Sequence, residues 1–398
     1  MVFSHSPVVQ SNQDGAAEGE CDISSLLQML ASVPDPRKAR GKQYLIGFLL
    51  GVSVVTVLAG AKNYSEIARK AADISQGMLR ELGSPWDWHR NRYRRPSKTA
   101  IRNLLTGIDA DGMDGIVGRW LFENSGAAAG SEWEIALDGK VMRGAWTAEN
   151  EKVALFSAVM HRDAVTVAQV SVPDGTDETS QAATLMEDLD ALGMTGGGAV
   201  LVTLDAVHTS RETAREIKRR PQFDYLMTVK GNRPWLLESV FGKIAPETRN
   251  PPADIMRERS RGQVRQWSCW TAEAGGIDFP GASQIALIIR EVFDLSGQRV
   301  SKELALMITS RPPGKMSAAQ INRNTRNHWV IENKSHYIRD TVYREDHNQT
   351  WTGNGAHVLA ITRNLAVSLI RMKGVKAIKE TTEWVAADRT RALKFMTT

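Results

Sequence analysis

Apolar and polar positions in the first third of the chain recur with a helical period. SSLLQMLASV, with Asp22 or Ser24 as its cap, is closed by Asp35-Pro36, because proline cannot continue a helix and disfavours it in the preceding residue. Residues 43–61 (QYLIGFLLGVSVVTVLAGA) carry no charge and approach the length of a membrane-spanning helix. They also contain Gln43, Ser53, Thr56 and three Gly, and no second such segment follows. The reading is a buried helix at the centre of an all-helical region, with no membrane span. SEIARKAADISQGMLRELG has amphipathic spacing ending at Gly83, and Ser97 reads as the N-cap of SKTAIRNLLTGI. Residues 22–125 are therefore predicted to be an all-helical N-terminal domain. Residues 1–21, polar and acidic, read as a disordered lead without a secretory signal.

After GAAAG (126–130) the pattern changes to strands: EWEIALDG, KVALFSAVMHR and VTVAQVSVP. A helix (SQAATLMEDLDALGM), the strand AVLVTLD, the helix RETAREIKRR and the strand FDYLMTVKG follow. Three strands in meander, then helix and strand in alternation, describe an α/β sheet of ribonuclease-H type. Between about 234 and 318 the alternation lapses, around Pro251-Pro252 and the basic run RERSRGQVRQW. Two more strand-like runs, SQIALIIREVF and ELALMITS, complete a partly β insertion. The expected catalytic domain covers 131–372, with 373–398 as a C-terminal tail.

Three acids stand out in this frame. Asp138 and Asp205 fall at the ends of apolar strand runs, and Glu332 lies on a helix far downstream. Acids converging from distant sequence build an oxygen-rich site for a hard divalent cation. Along the Glu332 helix a 3.6-residue turn aligns His328, Glu332, His336 and Arg339, with Val330, Ile331, Tyr337 and Ile338 opposite. Phosphodiester hydrolysis needs an activated water and a neutralised leaving oxygen, which two metals about 3.5–4 Å apart supply. Asp138 bridging both ions, with Asp205 and Glu332 each favouring one, is the simplest arrangement. Lys140, Arg143, Lys230 and Arg339 are candidates to hold phosphates that do not react.

Charge agrees with a polyanionic partner. The net charge is +5, and the most basic stretch, from His89 to Lys98, includes Arg92, Arg94 and Arg95 and leads into a helix. Arg257, Arg259, Arg261 and Arg265 form a second basic patch. Eleven Trp, several beside Arg or His, would suit unstacked bases as well as a core. Two distant cysteines exclude a disulfide framework or a zinc ribbon and point to the cytoplasm. A zinc site at His328, Glu332 and His336 would lack the HExxH spacing and leave Asp138 and Asp205 unused. A glycosidase reading finds no aromatic sugar platform.

The motifs LDGKVMRG, LDAVHTS, YLMTVKGN and HWVIENKSHYIRDTVYRED, followed by NGAHVLAITRNLAVSLIR, resemble those of bacterial insertion-sequence DDE transposases. The nearest branch is the ISAs-one family with its H-repeat-associated proteins. VPDPRKARGKQY, AGAKNYSEIA and RRPSKTAIRNLL resemble the same family's helical domain, so the likeness covers about residues 24 to 372. It implies a ribonuclease-H-like catalytic core with Asp138, Asp205 and Glu332 as catalytic metal ligands, and Mg2+ as two ions, replaceable by Mn2+. It also implies double-stranded DNA as partner, both terminal inverted repeats and target, and a homo-oligomeric synaptic complex at the nucleoid. Related transposases carry a lysine seven residues after the Glu, so the resemblance gives Arg339 a phosphate-binding role. Ser210 and Arg233 stand where Gln is usual, Ser335 and Arg339 where apolar residues are, and Tyr337 where Trp is. The alternative reading is a catalytically silent DNA-binding remnant.

Overall fold

The computed structural model describes residues 23–126, 132–146, 151–176, 178–194, 198–349 and 352–397. Helices α1 (Ser24–Ser32), α2 (Ile46–Leu58), α3 (Tyr64–Ala71) and α4 (Gln76–Glu81) come first. Ile23 occupies the N-cap of α1, and Asp22 lies outside the described residues. The charge-free segment becomes α2, and all 13 of its residues are buried. The Ser53 and Thr56 hydroxyls donate to the Leu49 and Val52 carbonyls within the helix, so its polar positions cost little in a core. No helix among the described residues is long and apolar enough to cross a membrane.

The region is not wholly helical. Strands β1 (Trp86–Asp87) and β2 (Arg92–Tyr93) form a small antiparallel hairpin out of the basic stretch. The Asp87 carboxylate accepts the N–H groups of His89 and Arg90, each at 3.2 Å, and Trp86 meets Tyr93 edge-on at 4.8 Å. Ser97 then caps α5 (Lys98–Gly107), its hydroxyl accepting the Ala100 N–H at 3.1 Å. Helix α6 (Ala110–Asn124) follows.

A nine-stranded sheet forms the rest of the frame. Strands β3 (Trp133–Trp146), β4 (Lys152–Met160) and β5 (Thr166–Val172) make the antiparallel meander. Helix α7 (Ala182–Ala191) leads to β6 (Val200–Leu204), parallel to β3, and α8 (Arg211–Lys218) leads to β7 (Phe223–Val229), parallel to β6. The resulting order, β5-β4-β3-β6-β7, is that of a ribonuclease-H-type sheet.

The insertion prolongs this sheet. After α9 (Pro234–Ile244) come β8 (Asp254–Ser260), β9 (Gln263–Glu273), β10 (Gln284–Phe293) and β11 (Arg299–Thr309), and β11 pairs with β7. Four strands form where the sequence pattern predicts two. The basic run is the β8–β9 hairpin, turned at Arg261-Gly262 with φ of 52° and 73°, the signature of a tight hairpin turn. Its alternating charges belong to a half-exposed edge strand, which conceals the apolar period.

Helix α10 (Ala318–His328) starts at a capping box made by Ser317 and Gln320. A π-helical turn (Ile331–His336) joins it to α11 (Tyr337–Thr341), and α12 (Gly355–Met372) is almost entirely buried. The expected tail contains α13 (Ile378–Ala387) and α14 (Leu393–Met396), with Ile378, Val385, Phe395 and Met396 buried. One apolar core joins Leu30, Val55 and Leu104 of the first helices, Ile135 and Val202 of the sheet, and Leu359 and Ile370 of α12. Helix α6 lies directly on β5, where a Cβ on Gly118 would run into the Val167 carbonyl.

Candidate functional site

Parallel pairing of β3 with β6 sets Leu137 beside Leu204, so the residues that follow, Asp138 within β3 and Asp205 just past the end of β6, stand abreast. The Asp205 carboxylate accepts the N–H groups of Val207 and His208 at 3.0 and 3.3 Å. That turn folds the buried His208 back over the acids, its Nε2 3.5 Å from Asp138 Oδ1 and 3.7 Å from Asp205 Oδ1. Potential ligand atoms of Asp138, Asp205 and His208 all lie within 4.8 Å of one another. His336 approaches from the π turn, its Nδ1 3.4 Å from Asp138 Oδ2. Gly139 leaves room beside Asp138 for the Glu178 carboxylate, which a Cβ there would strike.

Burial alone would raise the Asp138 carboxyl, but hydrogen bonds from His208 and His336 outweigh it and hold the group well below the carboxylate range. Burial would lower His208, yet the hydrogen bond to Asp138 and the charge of Asp205 leave it raised. Glu332 faces a cavity of about 500 Å³ whose walls also include Asp205, Lys230 and His328. Burial first, then the charges of Asp138 and Asp205, push its carboxyl up, while Lys230 pulls it down. Glu332 is thus an electrostatic neighbour of the two aspartates, whereas the tight cluster takes His208 as its third member.

The π turn corrects the expected helix face. The Tyr337 N–H donates to the Glu332 carbonyl, five residues back, so a 3.6-residue period does not carry through to Arg339. Arg339 is 1% exposed and paired with Glu345 at 2.7 Å, enclosed where phosphate contact was expected. Lys140, 8% exposed, is likewise held at 2.8 Å by Asp340. Tyr337, expected on the packed side, is exposed, whereas Val330 and Ile331 do pack on Ala136 and Val159. Lys230 is exposed at the cavity and the Arg143 side chain is 84% exposed, 3.7 Å from Asp346.

Arg92, Arg94 and Arg95 line a separate concavity at the β1–β2 hairpin, with Tyr44 and Arg90. Arg94 lies 3.6 Å from Asp87, and Arg95 donates to the Ile74 carbonyl at 3.0 Å. Behind the acids runs a buried polar chain. His161 Nε2 lies 2.9 Å from Thr203 Oγ1, which lies 3.1 Å from His328 Nδ1. Burial pushes His161 down to about 4 and lowers His328 as well. His208 had a signal in the sequence, a ligand-type residue three positions after Asp205, but its reach to Asp138 depends on the turn.

A ribonuclease-H-type sheet with one acid inside its central strand, Asp138, and another just past the end of the neighbouring strand, Asp205, is the arrangement expected of a DDE transposase. Residues 130–369 match the family model described as "Transposase DDE domain", and residues 27–121 match the one described as "DDE_Tnp_1-associated". The chain belongs to the transposase DDE domain family.

"Putative transposase YncI" of Escherichia coli O157:H7 is 26% identical over 364 residues, covering 88% of each chain. "H repeat-associated putative transposase YhhI" of Escherichia coli strain K12 is 22% identical, covering 88% of this chain and 91% of its own. Among solved structures, the piggyBac transposase synaptic complex with hairpin DNA aligns with 94% of this chain and 78% of that one. Its TM-score of 0.40 and identity of 10% are too slight to bear on this chain.

Proposed function

We propose that the chain is the transposase of a bacterial insertion sequence. In this reading it binds double-stranded DNA at terminal inverted repeats, hydrolyses phosphodiester bonds with a divalent metal and transfers the freed strands to target DNA. A homo-oligomer would bring two DNA ends together. The observation that carries the reading is the placement of Asp138 and Asp205 abreast at β3 and β6, with His208 closing the cluster.

The residues fit a divalent cation. Two carboxylates and an imidazole offer ligand atoms that all lie within 4.8 Å of one another, within one ion's reach. The carboxylates suit Mg2+, and the imidazole moves the preference toward a softer ion such as Mn2+. When bound, such a cation would activate a water and neutralise the leaving oxygen. Asp138, kept ionised by its two histidines, would be the central ligand, and Glu332 would complete the set from across the cavity. Lys230 and Arg143 would hold phosphates that do not react, and Arg92, Arg94 and Arg95 would contact flanking DNA.

Glu332→Gln tests the assignment. Cleavage should fall by at least about a hundredfold, the scale of losing a group that stabilises developing charge, while DNA affinity stays within about twofold in a gel-shift titration. Equal loss of both would remove Glu332 from the metal site. DNA binding by the wild type without cleavage under Mg2+ or Mn2+ would favour the silent remnant.

A further inference from the structure

A groove of about 930 Å³ lies between α3, α5 and the loop after α11, lined in part by Glu66, Arg69, Lys98, Thr99, Arg102 and His347. Arg69, Lys98 and Arg102 are exposed, and none forms an ion pair with a carboxylate among the described residues. Arg102 donates to the Thr352 hydroxyl at 3.2 Å. The groove's own acid, Glu66, is engaged by the Lys62 N–H at 3.1 Å. A concave surface with three exposed cations to one carboxylate keeps an excess of positive charge and is complementary to a polyanion.

The groove is fastened to the strand that carries Asp138. Asp346, at the start of its loop wall, lies 3.4 Å from Lys140 and 3.7 Å from Arg143 of β3. Asn348 donates to the Lys62 carbonyl at 2.7 Å, tying the same loop to the segment before α3. At Gly144 a Cβ would stand only 2.8 Å from the Asp346 and Asn348 carbonyls, so the loop rests directly on β3. From Asp138 to Gly144 the strand covers about 20 Å at ~3.3 Å per residue. That is roughly six base-pair steps at ~3.4 Å each, a span one duplex covers.

We propose that this groove holds the phosphate backbone of duplex DNA flanking the bond to be cut, with Arg69, Lys98 and Arg102 on its phosphates. The proposal rests on the DNA-processing reading above. The test is equilibrium binding of the full chain to a duplex of ~30 base pairs across a salt series, for wild type and for the Arg69→Gln, Lys98→Gln, Arg102→Gln triple variant. Each lost phosphate contact should take about 0.9 from the slope of log K against log salt, so the triple variant should lose about 2.7. The single variants, expected to lose about 0.9 each, keep the test open if the triple variant misfolds by circular dichroism. A wild-type slope in all the folded variants would overturn the groove alone. Absence of salt-dependent DNA binding by the wild type would overturn the groove together with the DNA-processing reading.

Discussion

Asp138 is held between two imidazoles, His208 at 3.5 Å and His336 at 3.4 Å, and this pairing is the most specific electrostatic feature of the site. His208→Ala should weaken Mn2+ binding, measured by calorimetry, by about tenfold or more, the scale seen when a group in or next to a ligand shell is lost. Unchanged affinity would leave His208 a structural neighbour. The pairing of Asp138 with Asp205 was legible because each follows an apolar run, although β3 continues past Asp138 to Trp146 and does not end there. Arg339 and Lys140 were misread because burial of a cation depends on partners, here Glu345 and Asp340, that only the fold brings close. Glu345 lies between Arg339 and Arg363, each at 2.7 Å. Its replacement by Gln would leave two buried arginines short of charge. We expect a loss of about 3–5 kcal/mol in urea unfolding, with no change in the salt dependence of DNA binding.

At the level of elements, strand order followed from the apolar pattern because β3 to β7 are buried runs whose connections leave few choices. The π turn at Ile331–His336 could not be read, since a five-residue hydrogen-bond step leaves no mark in a 3.6-residue pattern. The β1–β2 hairpin was hidden for a related reason, being two residues per strand in a run of cations. The loop of Asp346 to Asn348 is the joint between β3 and the helices. Gly144→Ala would push its carbonyls off the strand. The expected outcome is a stability loss of about 1–3 kcal/mol, with cleavage reduced further than the loss of folded protein explains. Wild-type stability and cleavage would show the joint to be slack.

Taken whole, the molecule has a core that runs through the helices before residue 125, the sheet and α12 to α14. The chain's pattern gave separate regions, because composition changes at GAAAG (126–130) while the apolar surfaces on either side still meet in space. Acid should undo this core in two stages. Burial pushes His161 and His357 down to about 4, so their neutral forms contribute stability above about pH 6.5, lost as pH falls toward 4. Burial would raise Glu345, but Arg339 and Arg363 outweigh it and hold the carboxyl down to about 2. Its contribution is therefore present above about pH 4.5 and lost as pH falls toward 2. A calorimetric series should show the melting temperature falling through both windows; a flat profile from pH 7 to 4 would contradict the buried-histidine account.

The central claim is that the acids abreast at β3 and β6 cut DNA with a metal. It is tested most directly by incubating wild type and Asp205→Asn, with Mg2+ or Mn2+, on a DNA carrying the repeats that flank the gene. The account predicts cutting at the repeat ends by wild type alone, abolished by a chelator. Equal cutting by Asp205→Asn, or cutting that survives chelation, would contradict it.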